Sequence, residues 1–214
     1  MSINLWNIYS SEMRITSGTL KGRTLDLTSS QINNEQMRPT TSYTKNVLFN
    51  LLAQNAIVQT EISGAKVLDC FCGTGSIGFE FASRGAKLVS FVDSNEENIA
   101  QVHKNADKLK ISYLARIGFF PRCKIKEQCD IIFVDPPYIA AQSQILKTIA
   151  ALQEHSLVKN GIIILEMPNT KKTNIRENIA KIIPIVLEWE VSDKIILLFL
   201  KNSISKSAEL VLED

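Results

Sequence analysis

At 214 residues, with 45% hydrophobic and 21% charged side chains, the chain has the size of one globular domain with a sizeable core, carrying at most an appendage. A formal net charge of +2 is too small to announce a nucleic-acid partner, so any electrostatic footprint must come from how the charges are distributed. Cys70, Cys72, Cys123 and Cys129 have neither the paired spacing of a zinc site nor the density of a disulfide scaffold, which excludes both and reads as reduced cytosolic thiols.

Met1–Glu12 lacks a basic leader and an apolar run long enough for a signal peptide or a membrane span, so the expectation is a cytoplasmic protein with a poorly ordered extension over residues 1–12. From Arg14 to Leu25, short apolar and β-branched pieces around Gly18 and Gly22 predict a small hairpin. After a polar loop over Thr28–Gln36, Arg38-Pro-Thr-Thr41 supplies a proline and a hydroxyl cap, and Val47, Leu48, Leu51 and Leu52 follow at helical spacing. Hairpin and helix form an appendage over residues 13–55. Residues 56–202 form the main domain and 203–214 a polar tail.

Beyond Lys66 the chain alternates. Apolar runs at Val67–Asp69, Leu88–Asp93, Ile131–Asp135 and Ile162–Glu166 are separated by helix-like segments, of which Asn95–Leu109 and Gln142–Glu154 are the clearest. Such alternation predicts a parallel α/β sheet. Ile182–Glu190 and Lys194–Leu200 are two further β-rich runs separated by Val191-Ser-Asp193. That connection is too short for a crossover helix, so they must pair antiparallel.

Val67-Leu-Asp-Cys-Phe-Cys-Gly-Thr-Gly-Ser-Ile-Gly78 is a strand running into a glycine turn and then a helix. Gly73, Gly75 and Gly78 allow the tight turn and close backbone approach that a nucleotide-like ligand needs. With Asp93 further on, the spacing also satisfies a dinucleotide fingerprint, and spacing alone does not choose between the two. Asp69 tips the balance toward S-adenosylmethionine, because its carboxylate can orient an ammonium group and would repel a pyrophosphate. Asp93 ends its strand where it can accept both ribose hydroxyls. The cofactor-binding set is therefore Asp69, Cys70, Phe71, Gly73, Gly75, Asp93 and Ser94. The segment Tyr113–Phe120 offers no carboxylate for an adenine amine; Phe119 or Phe120 could pack on the ring, or simply belong to the core.

The sharpest signal is Ile131-Ile-Phe-Val-Asp-Pro-Pro-Tyr138, an apolar strand that delivers an acid, two prolines and an aromatic to the carboxyl edge of the sheet. An exocyclic base amine is a poor nucleophile because its lone pair is delocalised into the ring. Acceptors that favour a pyramidal nitrogen overcome this, and Asp135 with the carbonyl of Pro136 is the natural pair. Pro136 and Pro137 preorganise the backbone, and Tyr138 offers a face on which an extruded base can stack. These four residues are the catalytic expectation, with no metal.

Taken together, Met13–Arg23, Met37-Arg-Pro-Thr-Thr41 with Leu48–Leu52, Val67–Gly75, Ser83-Arg-Gly-Ala86 and Asp135–Tyr138 make the chain resemble the bacterial 16S ribosomal RNA guanine-N2 methyltransferase family known as RsmD, from Met13 to about Leu200. The resemblance implies a Rossmann-like class I methyltransferase sheet, mostly parallel with a C-terminal antiparallel hairpin, plus a small N-terminal hairpin and helix. It also implies S-adenosylmethionine as cofactor and, as partner, 16S rRNA in the small ribosomal subunit or its assembly intermediate; a monomer is expected. Between Met13 and Lys45 stand five basic residues, Arg14, Lys21, Arg23, Arg38 and Lys45, against Asp26 and Glu35. This basic patch suits phosphate contacts, and Arg14, Lys21, Arg23, Arg38 and Thr40 are the substrate-binding expectation. The chain departs from the family at Lys45-Asn46, where an Arg-Glu pair is common, and at Val191–Asp193, where a Tyr-Gly turn is usual. Two other functions remain open: an adenine-N6 methyltransferase with the same glycine loop, and a catalytically silent RNA-binding protein.

Overall fold

The computed structural model describes residues 13–28, 41–54, 61–169 and 172–201. The expected N-terminal extension, most of the polar loop, Arg38, Thr40 and the polar tail lie outside the described residues.

Strands β1 (Met13–Arg14) and β2 (Thr24–Leu25) pair antiparallel as the expected hairpin. Helix α1 (Ser42–Gln54) follows, and Thr41 caps it by accepting a hydrogen bond from the Thr44 amide at 3.2 Å. The main domain then runs β3 (Lys66–Cys70), α2 (Ser76–Ser83), β4 (Leu88–Asp93), α3 (Glu96–Leu109), β5 (Tyr113–Ile117), β6 (Cys129–Val134), α4 (Gln142–His155), β7 (Leu157–Pro168), α5 (Lys172–Ile182), β8 (Ile185–Val191) and β9 (Lys194–Leu200). One expected boundary moves. The pattern of apolar residues starts the penultimate β-rich run at Ile182, but α5 extends through that residue, and β8 starts only after Pro184, whose ring disfavours helical backbone in the residue before it.

The main sheet has the order β5-β4-β3-β6-β7-β9-β8. β3 to β7 run parallel, whereas β9 lies antiparallel between β7 and β8. Winding proceeds from β3 outward through β4 and β5, then restarts at β6 on the other side of β3. That reversal opens a crevice at the carboxyl ends of β3 and β6, where ligands of such sheets bind. Ser192, in the turn between β8 and β9, takes a φ of 60°, so the residue standing near the family's glycine turn adopts the conformation a glycine would.

Alternating side chains divide the core. One face of the sheet, with Val67, Ile131, Phe133, Ile164 and Ile196, packs under α1, α2, α3 and the hairpin; the other, with Leu68, Ile132, Val134 and Leu165, packs under α4 and α5.

The hairpin is fastened to α2. The amides of Thr19 and Leu20 donate to Ser83 O at 2.7 Å and Ser83 Oγ at 2.9 Å. Gly18 has a φ of +83°, and a Cβ there would lie 1.9 Å from Ser83 O, so this close approach requires glycine. Beneath it Glu80 is fully buried. It accepts from the Thr16 amide at 2.7 Å, from the Lys45 ammonium at 3.1 Å and from Arg84. Lys45 is only 1% exposed and also donates to Arg14 O at 2.8 Å. The expectation that Lys45 belongs to a phosphate-binding surface is thereby corrected: its charge is used inside, joining α1, α2 and the hairpin.

Candidate active site

The glycine loop leaves β3 with Phe71 at φ 57°, Gly73 at φ 52° and Gly75 at φ 75°. A phenylalanine in the left-handed region is uncommon and is held here by its neighbours; its ring leans on Phe120, 5.2 Å between centroids. Asp93 at the end of β4 grips the loop, accepting from the Gly73 amide at 2.7 Å through one oxygen and from the Asn95 amide at 2.8 Å through the other. Asp69 is buried and accepts from the Gly78 amide, in the first turn of α2, at 2.9 Å. A Cβ at Gly78 would stand 2.2 Å from the Phe91 ring and 3.0 Å from Asp69, so glycine lets α2 sit down on the sheet. Burial pushes the Asp69 carboxyl well above its ordinary range; the Gly78 amide opposes this, while Asp135 and Asp93 add to it. Cys70 is fully buried in the α4–α5 half of the core, which leaves its backbone for any ligand, and Ser94 is exposed beyond the strand.

Strand β6 delivers Asp135 to the same edge. Pro136 is buried, whereas Pro137 and Tyr138 are exposed, Tyr138 at 42%. Register pairs Val134 with Leu165, bringing Glu166 level with Asp135. Burial, and then the negative charge of Glu166, push the Asp135 carboxyl up to about 8, while Lys194 pulls it down. Tyr138 walls a cavity of about 170 Å³ together with Thr41, Tyr43 and Thr44 at the start of α1 and the turn Ser192–Lys194.

Of the sequence-predicted residues, Asp69, Asp93, Asp135 and Tyr138 come together along this edge; Arg14, Lys21 and Arg23 stand exposed on the hairpin. Phe119 is exposed at 66%, while Phe120 is buried against Phe71. Sequence reasoning missed Glu166 and Lys194, which form a buried ion pair beside Asp135, and Tyr43 at the cavity mouth. An acid ending an apolar strand and a lysine opening the last strand were the available signals. Among the described residues no group of His, Cys, Asp and Glu could hold a metal, and no helix is long and apolar enough to cross a membrane.

A family model described as conserved hypothetical protein 95 matches residues 13–185. The ribosomal RNA small subunit methyltransferase D of Haemophilus influenzae is 31% identical over 175 residues, 78% of this chain and 84% of that protein. The chain belongs to the RsmD family. The Escherichia coli (strain K12) protein with the same description is 30% identical over 166 residues, covering 72% of this RsmD-family chain and 74% of its own length. Solved structures agree in fold. A methyltransferase from Escherichia coli superposes with a TM-score of 0.70 at 24% identity, covering 90% of this chain and 99% of its own. A methylase from Haemophilus influenzae gives 0.62 at 26% identity, covering 89% and 99%. The chain thus has the mostly parallel methyltransferase sheet, closed by an antiparallel hairpin, within a family of methyltransferases.

Proposed function

We propose that the chain transfers a methyl group from S-adenosylmethionine to the exocyclic N2 amine of a guanine in 16S ribosomal RNA. The observation that carries the chemistry is Asp135, a half-buried carboxyl at the switch point of the sheet, between the glycine loop and an exposed tyrosine. Membership of the RsmD family supports the choice of nucleic acid.

The residues fit the cofactor. The glycine-lined turn brings backbone close to the crevice, Asp93 presents its carboxyl at the end of β4, and Asp69 places a buried carboxyl where a bound ammonium group would favour its charged form. When bound, S-adenosylmethionine would supply an electrophilic methyl on a positively charged sulfur, which would keep the bonding pair as leaving group. Asp135 and the Pro136 carbonyl accept the amine N–H groups and hold the lone pair out of conjugation. Tyr138 supports the extruded base by stacking. Asp135 takes the surplus proton once the nitrogen is methylated. Because placement is the main requirement, the rigid Pro136-Pro137 backbone contributes directly to rate. Arg14, Lys21 and Arg23 contact phosphates, and Arg38 and Thr40 complete the substrate-binding set. The enzyme acts as a monomer in the cytoplasm.

The test is methyl transfer to 16S rRNA, supplied naked and as a partly assembled small subunit, followed by mass spectrometry of the nucleosides. N2-methylguanosine is expected. N6-methyladenine would reassign the base, and RNA binding without any methylated nucleoside would reveal a silent RNA-binding protein.

A further inference from the structure

Asp135, Glu166 and Lys194 come from neighbouring segments and share one face of the sheet. β6 sends Ile131 and Phe133 into the half of the core under α1 and α2, so Asp135, two residues on, points to that side; β7 sends Ile162 and Ile164 there, and β9 sends Ile196 and Leu198. Glu166 and Lys194 follow the same alternation. Register sets their level: Val134 pairs with Leu165, and Glu166 pairs with Ile196, two residues from Lys194.

Glu166 is fully buried and Lys194 is 7% exposed, and the Lys194 ammonium donates to Glu166 Oε1. The second oxygen, Oε2, is buried with no hydrogen-bond partner among the described residues. A buried ion pair seldom repays its desolvation, and one kept for stability alone would satisfy both oxygens. Lys194 also walls the cavity beside Tyr138, so the pair reaches from the core into the site. The groups that act on Asp135 and its neighbours are Glu166 on β7, Lys194 on β9, Asp69 on β3, Tyr138 three residues on, and Asp193 near Tyr138. Lys194 is the single cation in this set of described residues.

We propose that Lys194, held by Glu166, is a positioning residue for Asp135: its ammonium supplies the counter-charge that draws Asp135 toward the carboxylate form in which it accepts an N–H of the acceptor amine. The proposal rests on the reading of Asp135 as the acceptor in methyl transfer and deepens it. Glu166 sets the location of the ammonium and, through its own charge, limits how far Asp135 is pulled toward the ionised form. That balance leaves Asp135 able both to hold an N–H group and to take its proton.

The experiment is a carbon-13 carboxyl titration of the full chain by NMR, with Asp135 assigned through Asp135→Asn, alongside pH–rate profiles of single-turnover methyl transfer. Lys194→Met removes the cation at similar size and should raise the Asp135 midpoint by about one pH unit or more. Glu166→Gln should lower it, and Lys194→Arg should keep it near the parent value. The ascending limb of the rate profile should move with each midpoint. Should Lys194→Met fail to fold, Lys194→Gln, which also removes the charge and should raise the midpoint in the same direction, decides. An unmoved midpoint in either folded variant, or movement of both in one direction, overturns the proposal. The titration needs no nucleic acid, so its result is separable from the choice of acceptor. Opposite shifts without methylation would refute the proposed function alone, and methylation with unmoved midpoints would refute the pairing alone.

Discussion

Replacing Glu80 with alanine removes the centre of the buried cluster that ties the hairpin and α1 to α2. Lys45, 1% exposed, would keep Arg14 O as an acceptor but lose its counter-charge, and the Thr16 amide would lose its acceptor. Breaking a buried ion pair from one side costs about 3–5 kcal/mol, and a stranded amide adds roughly 1–3 kcal/mol. Lys45 offsets part of this by releasing its proton, since burial already lowers its ammonium below the ordinary value and Glu80 is what holds it up. A net loss of about 4–6 kcal/mol follows, most of the stability of a marginal domain. At roughly 2–4 °C per kcal/mol for a chain of this size, thermal unfolding should fall by about 10–20 °C. Circular dichroism melts of Glu80→Ala measure it directly. With the folded-state lysine lowered further, the unfolded chain binds more protons as pH rises toward 10.5, so the deficit should shrink in that direction. The double variant Lys45→Met/Glu80→Leu should recover most of the loss, because no charge is left behind. A single variant within about 1 kcal/mol of the parent, or a double variant as unstable as the single, would show that the cluster does not hold the appendage.

Asp93→Ala should weaken S-adenosylmethionine binding by about 1–3 kcal/mol through missing hydrogen bonds, partly by loosening the Gly73 amide it holds, and calorimetry would expose an unchanged affinity. Asp135→Asn should slow single-turnover methylation on the order of a hundredfold while leaving cofactor affinity intact; a parental rate would rule out an acceptor role. The same variant should be more stable than the parent at neutral pH and lose that advantage toward pH 4. A carboxyl raised to about 8 from 3.8 keeps its proton when the unfolded chain has released it, so it destabilises the fold as pH climbs through that window. Neutralising Arg14, Lys21 and Arg23 together should weaken RNA binding and flatten its salt dependence, by roughly 0.7–0.9 in slope for each phosphate no longer neutralised, with cofactor affinity unaffected; an unaltered slope would place the RNA elsewhere.

The glycine turn, the acid-proline-proline-tyrosine strand and the terminal antiparallel pair are legible in the sequence because each is local, with punctuation and chemistry inside a few consecutive residues. Charges that meet only through the fold are not. Lys45 reads as one more basic residue of a patch, since nothing near it in sequence announces Glu80, yet the two are joined in the core. Glu166 and Lys194 read as the end and the beginning of apolar strands; their union depends on β9 entering between β7 and β8 rather than following β8 outward. Phe119 and Phe120 look equivalent in sequence, and only tertiary packing separates the exposed ring from the one buried against Phe71.

That insertion of β9 also bears on how the protein is made. During synthesis β7 emerges with an apolar margin that no earlier segment of the sheet covers, and β8 does not pair with it. Until Lys194–Leu200 leaves the ribosome, the margin stays open and vulnerable to pairing with another nascent chain. The strand that finally seals it also brings Lys194 to Glu166, so the sheet and this buried ion pair are completed together. A ribosome-stalled chain lacking β9 should therefore acquire neither a closed sheet nor the Lys194–Glu166 pair beside Asp135.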